Sequence, residues 1–146
     1  MEVEIQYKQF VIVPKTVTYK EPEKGPVSLN KAFRKKKGPM SAGKIASQVA
    51  HATYLAINKD MEASQESVAK YVAWENSGMC VIVLECPTPT ELLGLAEYFK
   101  QWNIPYHLYI DEGMTEVSAG TPTALATGVL TANQFWVVSQ LKLYKQ

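Results

Sequence analysis

Three polar side chains share one stripe of a predicted helix. Lys44, Gln48 and His51 are spaced i, i+4 and i+7, and residues at this spacing lie along one helix face. The neighbouring stripe, which includes Ile45 and Ala56, is small and apolar. A helix that is apolar over so much of its circumference is largely buried, so its polar stripe must border a cleft or find partners inside the fold. The structural alternative is a snorkelling lysine beside polar residues that are satisfied in the core.

A second group of polar residues lies later in the chain. Asp-Glu-Gly-Met-Thr occupies residues 111–115, and a threonine-rich segment follows at 120–128. Asp111 stands at the predicted end of a strand, where functional side chains are common, and Gly113 permits a tight turn after it. A carboxylate, an ammonium group and hydroxyls are suited to activating water and stabilising a developing oxyanion. The two segments together therefore contain candidates for hydrolytic chemistry.

Residues 43–52 and the second segment together resemble the type II peptidyl-tRNA hydrolases. That family carries a Gly-Lys-Ile-Ala-x-Gln-x-x-His-Ala helix and, much later, an Asp-x-Gly-x-Thr…Thr-x-Thr turn and strand. The order and spacing agree, and the resemblance covers residues 10–13 and then 43–143. It implies an enzyme that cleaves the ester between a peptide and the terminal ribose of tRNA. It also implies a homodimer and no cofactor.

The resemblance assigns site residues by position. The expected catalytic residues are Lys44, Asp111, Thr115 and Thr123, and the expected substrate-binding residues include Gln48 and His51. As a hypothesis, Lys44 pairs with Asp111, so that each holds the other in its charged form.

In the same hypothesis, Asp111 orients or deprotonates water, directly or through Thr115. Lys44 and the hydroxyls of Thr115 and Thr123 polarise the ester carbonyl, and Gln48 positions substrate or water. We expect no metal, because neither His51 nor His107 has cysteines or paired carboxylates at ligand spacing.

The sequence departs from the family pattern in ways that keep an alternative open. Roughly two dozen extra residues separate the first strand from the helix, Ala42 replaces a basic residue often found there, and Met114 replaces Arg or His. The retained site residues favour the enzyme. The alternative is a catalytically weak or inactive homologue that binds tRNA or a protein partner.

Positive charge is concentrated in the first third of the chain. Residues 8–44 hold ten Lys and Arg but only two acidic residues, a balance of +8, whereas the whole chain has a net charge of +1. A positive lobe suits a polyanion, so Lys35, Lys36 and Lys37 are expected to bind tRNA phosphates. The alternative is a solvated loop whose lysines only keep it soluble.

Length and composition predict a single globular domain over residues 1–146, with a basic loop insertion at about 14–40. The chain is 47% hydrophobic and 20% charged, and no apolar run approaches the ~20 residues needed to span a bilayer. We expect a cytoplasmic protein without a signal peptide. Cys80 and Cys86 share a predicted strand that separates them by roughly 20 Å, too far for a disulfide.

The periodicity predicts an α/β three-layer sandwich, a mixed sheet of about four strands with helices on both faces. The predicted strands are residues 10–13, 81–84, 106–110 and 123–127. The predicted helices are residues 42–58, residues 61–75, and two more that begin at capping boxes, Thr88 with Glu91 and Thr131 with Gln134. Residues 14–39 are interpreted as a long loop with one helical turn near 30–34.

Overall fold

A mixed six-stranded sheet forms the centre of the computed structural model, which describes residues 6–22, 33–113 and 117–146. Its strands are β1 (Tyr7–Pro14), β4 (Val81–Cys86), β5 (Tyr106–Asp111), β6 (Thr121–Thr127), β7 (Leu130–Thr131) and β8 (Lys142–Leu143). The strand order is β5-β6-β1-β4-β8, and β7 also pairs with β1. The β1–β4 pair is parallel and the other pairs are antiparallel. β1 is the central strand because it lies in the middle of this order.

The helices begin where the sequence provides caps. They are α1 (Ala42–Ala63), α2 (Gln65–Asn76), α3 (Pro89–Gln101) and a 3₁₀ helix, Ala132–Val138. The capping boxes of α3 and of the 3₁₀ helix are both present, which confirms the two predictions. The boundary between α1 and α2 differs from the prediction: α1 extends to residue 63, because Ser64 caps α2 by accepting a hydrogen bond from the Ser67 N–H.

Helices cover both faces of the sheet, as predicted. Side chains alternate along β1: Val11 and Val13 pack in one cluster with residues of α1, whereas Phe10 and Ile12 pack in another with residues of α3. The first side is called the α1 face and the second the α3 face. The α/β sandwich is therefore confirmed.

Two predictions about the strands were wrong. The sheet has six strands rather than about four, because β7 and β8 have only two residues each and leave no periodic signal. The basic segment is not simply a loop: β2 (Val17–Pro22) and β3 (Phe33–Gly38) form an antiparallel pair, here called the basic hairpin. The helical turn expected near 30–34 is wrong for residues 33 and 34, which lie in β3; residues 30–32 lie outside the described part.

Two smaller expectations can also be compared with the structure. Cys80 and Cys86 are free thiols, as predicted. None of the helices among the described residues is long and apolar enough to cross a membrane.

Candidate active site

An ion pair joins helix α1 to the end of strand β5. The Lys44 Nζ atom lies 2.7 Å from Oδ2 of Asp111, and the two side chains are only 11% and 7% exposed. Lys44 is in the first turn of α1, where its backbone N–H donates to the Ser41 hydroxyl, and Asp111 is the last residue of β5. Because little water screens the pair, its attraction is stronger than that of an exposed pair. The predicted pairing of Lys44 with Asp111 is thus present.

The turn after Asp111 holds its carboxylate in place. Oδ1 of Asp111 accepts a hydrogen bond of 2.7 Å from the Gly113 N–H, and its carbonyl oxygen accepts one of 2.8 Å from the Gly120 N–H. Gly113 has a φ of +78°, and a Cβ atom there would lie 2.5 Å from the backbone nitrogen of Ala119. Glycine is therefore required both by backbone conformation and by space.

A buried hydrogen bond lies beside the ion pair. The Thr123 hydroxyl donates to Oε1 of Gln48, and the two residues are 0% and 2% exposed. Nε2 of Gln48 donates to the Ser47 hydroxyl at 3.3 Å. A hydroxyl has one proton to donate, so Thr123 cannot also donate to a substrate carbonyl while it makes this bond. This geometry favours a positioning role for Thr123 over the direct contact predicted from the sequence.

A β-bulge turns Thr123 toward α1. Tyr109 pairs with Ala124, but the next residue, Ile110, pairs with Pro122, which leaves Thr123 as an extra residue in β6. Regular alternation would place Thr123 on the side opposite Ala124, which packs on the α1 face. Bulges re-aim side chains beside active sites, and this bulge accounts for the contact between Thr123 and helix α1.

His51 lies one turn beyond Gln48 on the surface of α1. It is exposed, and its ring stacks on Tyr109 with centroids 5.0 Å apart and an interplanar angle of 12°. Sequence reasoning missed Tyr109; the available signal was its position two residues before Asp111 on the same strand, which predicts the same face. Tyr109 packs on the α1 face, so the stacked pair lies on the side of the sheet that α1 covers.

Three of the other predicted residues lie on the basic hairpin. Lys35 and Lys36 occupy β3 opposite Lys20 and Tyr19, and Lys37 is exposed and pairs with Thr18. Thr115 and Met114 lie outside the described residues. The structure thus brings Lys44, Gln48, Asp111 and Thr123 together, with His51 further along the same helix.

Other chemistries find no support in the described ranges. No group of three His, Cys, Asp or Glu side chains among the described residues could hold a metal ion. Burial, with smaller contributions from Glu91 and Glu85, raises the pKa of Cys86 to about 12, so its thiol stays protonated near neutral pH and is not a nucleophile. Burial also lowers the pKa of His107, as does the charge of Lys59.

Comparison with known proteins shows which family this chain resembles over most of its length. The family model described as "Peptidyl-tRNA hydrolase PTH2" matches residues 30–144. A peptidyl-tRNA hydrolase of Methanopyrus kandleri is 39% identical over 89 residues, covering 61% of this chain and 73% of that relative. One of Thermococcus onnurineus is 34% identical over 89 residues, with the same coverage of both chains. A probable peptidyl-tRNA hydrolase 2 of Dictyostelium discoideum is 32% identical over 106 residues, or 72% of this chain and 49% of that relative.

Proposed function

The chain belongs to the PTH2 family of peptidyl-tRNA hydrolases, and we propose that it hydrolyses the ester bond between peptide and tRNA in peptidyl-tRNA. The products are the free peptide and free tRNA. The observation that carries this reaction is the ion pair of 2.7 Å between Lys44 and Asp111, with its carboxylate fixed by the turn at Gly113. No observation on the described residues favours the inactive homologue.

The reaction needs a base, a positioned water and donors for the oxyanion. The Asp111 carboxylate accepts the proton of a water molecule, directly or through Thr115, as the water oxygen attacks the ester carbonyl carbon. The Lys44 ammonium and the Thr115 hydroxyl stabilise the negative charge that forms on the carbonyl oxygen. When the tetrahedral intermediate collapses, the bond to the ribose oxygen breaks and that oxygen takes the proton. No covalent enzyme intermediate is involved.

Gln48 and Thr123 act together in this proposal. The Thr123 hydroxyl holds the Gln48 carbonyl oxygen, which fixes the orientation of the amide one helical turn from Lys44. The amide then positions substrate or water. Thr123 therefore acts through Gln48, as a positioning residue.

The tRNA part of the substrate binds to the basic hairpin and to the stacked aromatic pair on α1 and β5. Lys35, Lys36 and Lys37 on the basic hairpin offer positive charge for tRNA phosphates, and His51 stacked on Tyr109 offers an aromatic surface for a base. A cytoplasmic location fits the two free cysteines. The homodimer is supported by the family resemblance alone.

Release of tRNA from an N-blocked aminoacyl-tRNA tests the proposal. Asp111→Asn and Lys44→Ala are each expected to lower kcat by about 100-fold or more, because they remove the base and an oxyanion donor. The matched controls are Glu97→Gln and Lys100→Ala, which change exposed charges on α3 and should leave kcat near the wild-type value. Circular dichroism confirms that each variant is folded. A folded wild type without turnover, or full activity in Asp111→Asn, would contradict the proposal.

A further inference from the structure

A polar cleft lies between the base of the basic hairpin, the start of α3 and the segment before β6. It has a volume of about 450 Å³, and four of its lining residues are Thr16, Thr18, Lys37 and Thr90. Thr18 and Lys37 are directly opposed in the hairpin register, so their side chains share one face of the hairpin. Among the described residues that line the cleft, Lys37 carries the one charge, and it is positive.

The cleft contains donors that are not used elsewhere in the described part of the chain. The side chains of Thr16, Thr18, Lys37 and Thr90 make no hydrogen bond or ion pair with another described residue. By contrast, the backbone N–H of Thr88 at the start of α3 already donates to Glu91 at 2.8 Å. The available side-chain donors are therefore one ammonium and three hydroxyls, and the Thr88 N–H is not among the available donors.

The cleft is directly connected to the catalytic turn. Gly120 lines the cleft, and its N–H donates to the Asp111 carbonyl oxygen. The hairpin base is anchored at the same place: Val17 is 1% exposed and packs in the core cluster that contains Val117. A ligand held in the cleft is therefore next to Gly120, the residue whose hydrogen bond links the cleft to Asp111.

We propose that this cleft binds a backbone phosphate of the tRNA substrate, with Lys37 as the cation and the hydroxyls of Thr16, Thr18 and Thr90 as hydrogen-bond donors. This inference rests on the proposed function and adds a defined contact to it. A phosphodiester carries one negative charge and accepts several hydrogen bonds, which matches one ammonium surrounded by hydroxyls. The family match begins at residue 30, so Thr16 and Thr18 lie before it, and the subsite combines residues inside and outside the matched region.

Binding of uncharged tRNA over a series of salt concentrations tests this subsite without requiring catalysis. Lys37→Ala is expected to raise Kd on the order of tenfold and to reduce the slope of log Kd against log salt by about 0.7 to 0.9, the loss of one phosphate contact. Thr18→Val is expected to raise Kd about threefold without changing the slope, because it removes no charge. Lys37→Arg should restore the slope, and Lys100→Ala, on the exposed surface of α3, is the matched control.

The outcomes separate this inference from the proposed function. If Lys37→Ala and Lys100→Ala give the same Kd and the same slope, the subsite is overturned even if the wild type hydrolyses its substrate. If the slope depends on Lys37 but the wild type releases no tRNA from an N-blocked aminoacyl-tRNA, the subsite stands and the hydrolase proposal fails. A Thr18→Val variant that reduces the slope as much as Lys37→Ala would also count against the subsite, because the effect would then come from a displaced hairpin.

Discussion

The two faces of the central sheet are packed with side chains of different size. The α3 face is filled by large residues, among them Phe10, Leu92 and Phe99. The α1 face is filled by smaller ones, including Ala52 and Ala124. Small side chains let a helix lie closer to a sheet. On the α1 face, the Thr123 hydroxyl of the sheet donates directly to the side chain of Gln48 on the helix.

The helix starts differ in the same way. The first turn of α3 carries Glu91, a negative charge where the helix dipole favours one. The first turn of α1 has no acidic residue and instead carries Lys44, a cation at the unfavourable end of the dipole. Asp111 compensates this charge at 2.7 Å. The charge at the start of α3 thus stabilises its helix. The charge at the start of α1 is unfavourable for its helix, but it belongs to the site.

Phe99→Ala should give the largest loss of stability of the changes considered. Phe99 is fully buried on the α3 face, and truncation of a buried Phe costs about 3–5 kcal/mol. Urea unfolding at neutral pH measures this loss. The comparison of the faces predicts that kcat, measured well below the unfolding transition, stays near the wild-type value. Phe99→Leu, with an expected cost of about 1 kcal/mol, is the milder variant if Phe99→Ala does not fold, and a large drop in its kcat would show that the faces are coupled.

Gly113→Ala should have the opposite pattern to Phe99→Ala. We expect a large fall in kcat and a smaller loss in the free energy of unfolding. The added methyl group would meet the backbone of Ala119 at 2.5 Å, and the φ of +78° strains any other residue. The Asp111 carboxylate would then move, and a displacement of about 1 Å can cost on the order of 100-fold in kcat. The matched control is Gly94→Ala on α3, where a Cβ has no neighbour within 4 Å. If both variants retained wild-type kcat, the turn at Gly113 would not position the carboxylate.

Most of the fold could be predicted because its signals are local. Continuous apolar runs indicated β1 and β4, and two capping boxes marked the helix starts at Thr88 and Thr131. The polar stripe of α1 predicted that Lys44 and Gln48 would share one helix face. The pairing of Lys44 with Asp111 joins residues 67 positions apart, so no local pattern could predict it. The motif resemblance predicted it instead.

The remaining features depend on contacts between distant segments. The bulge at Thr123 exists only in the pairing of β5 with β6, and alternation within β6 alone would have put this side chain on the α3 face. The basic hairpin was predicted as a loop because its strands carry lysines and glycine rather than an apolar run. The hairpin is held by the pairing of β2 with β3 and by the burial of Val17 at its base. The composition of the segment reveals neither.

The smallest expected effect concerns the acidic first turn of α3 and tests the comparison of the two helix starts. The Thr88 hydroxyl and backbone N–H donors lower the pKa of Glu91 below its ordinary value. A carboxylate whose pKa is lower in the folded state contributes stability above its unfolded pKa, and this contribution disappears as the pH falls through the folded pKa.

The unfolding midpoint in urea should therefore be higher for the wild type than for Glu91→Gln at neutral pH, and the two should converge in acid. The effect is small because Glu91 is exposed to solvent, so Glu97→Gln serves as the control for loss of one charge on the same helix. A difference between wild type and Glu91→Gln that stays constant from neutral to acidic pH would mean that the carboxylate charge does not stabilise the start of α3.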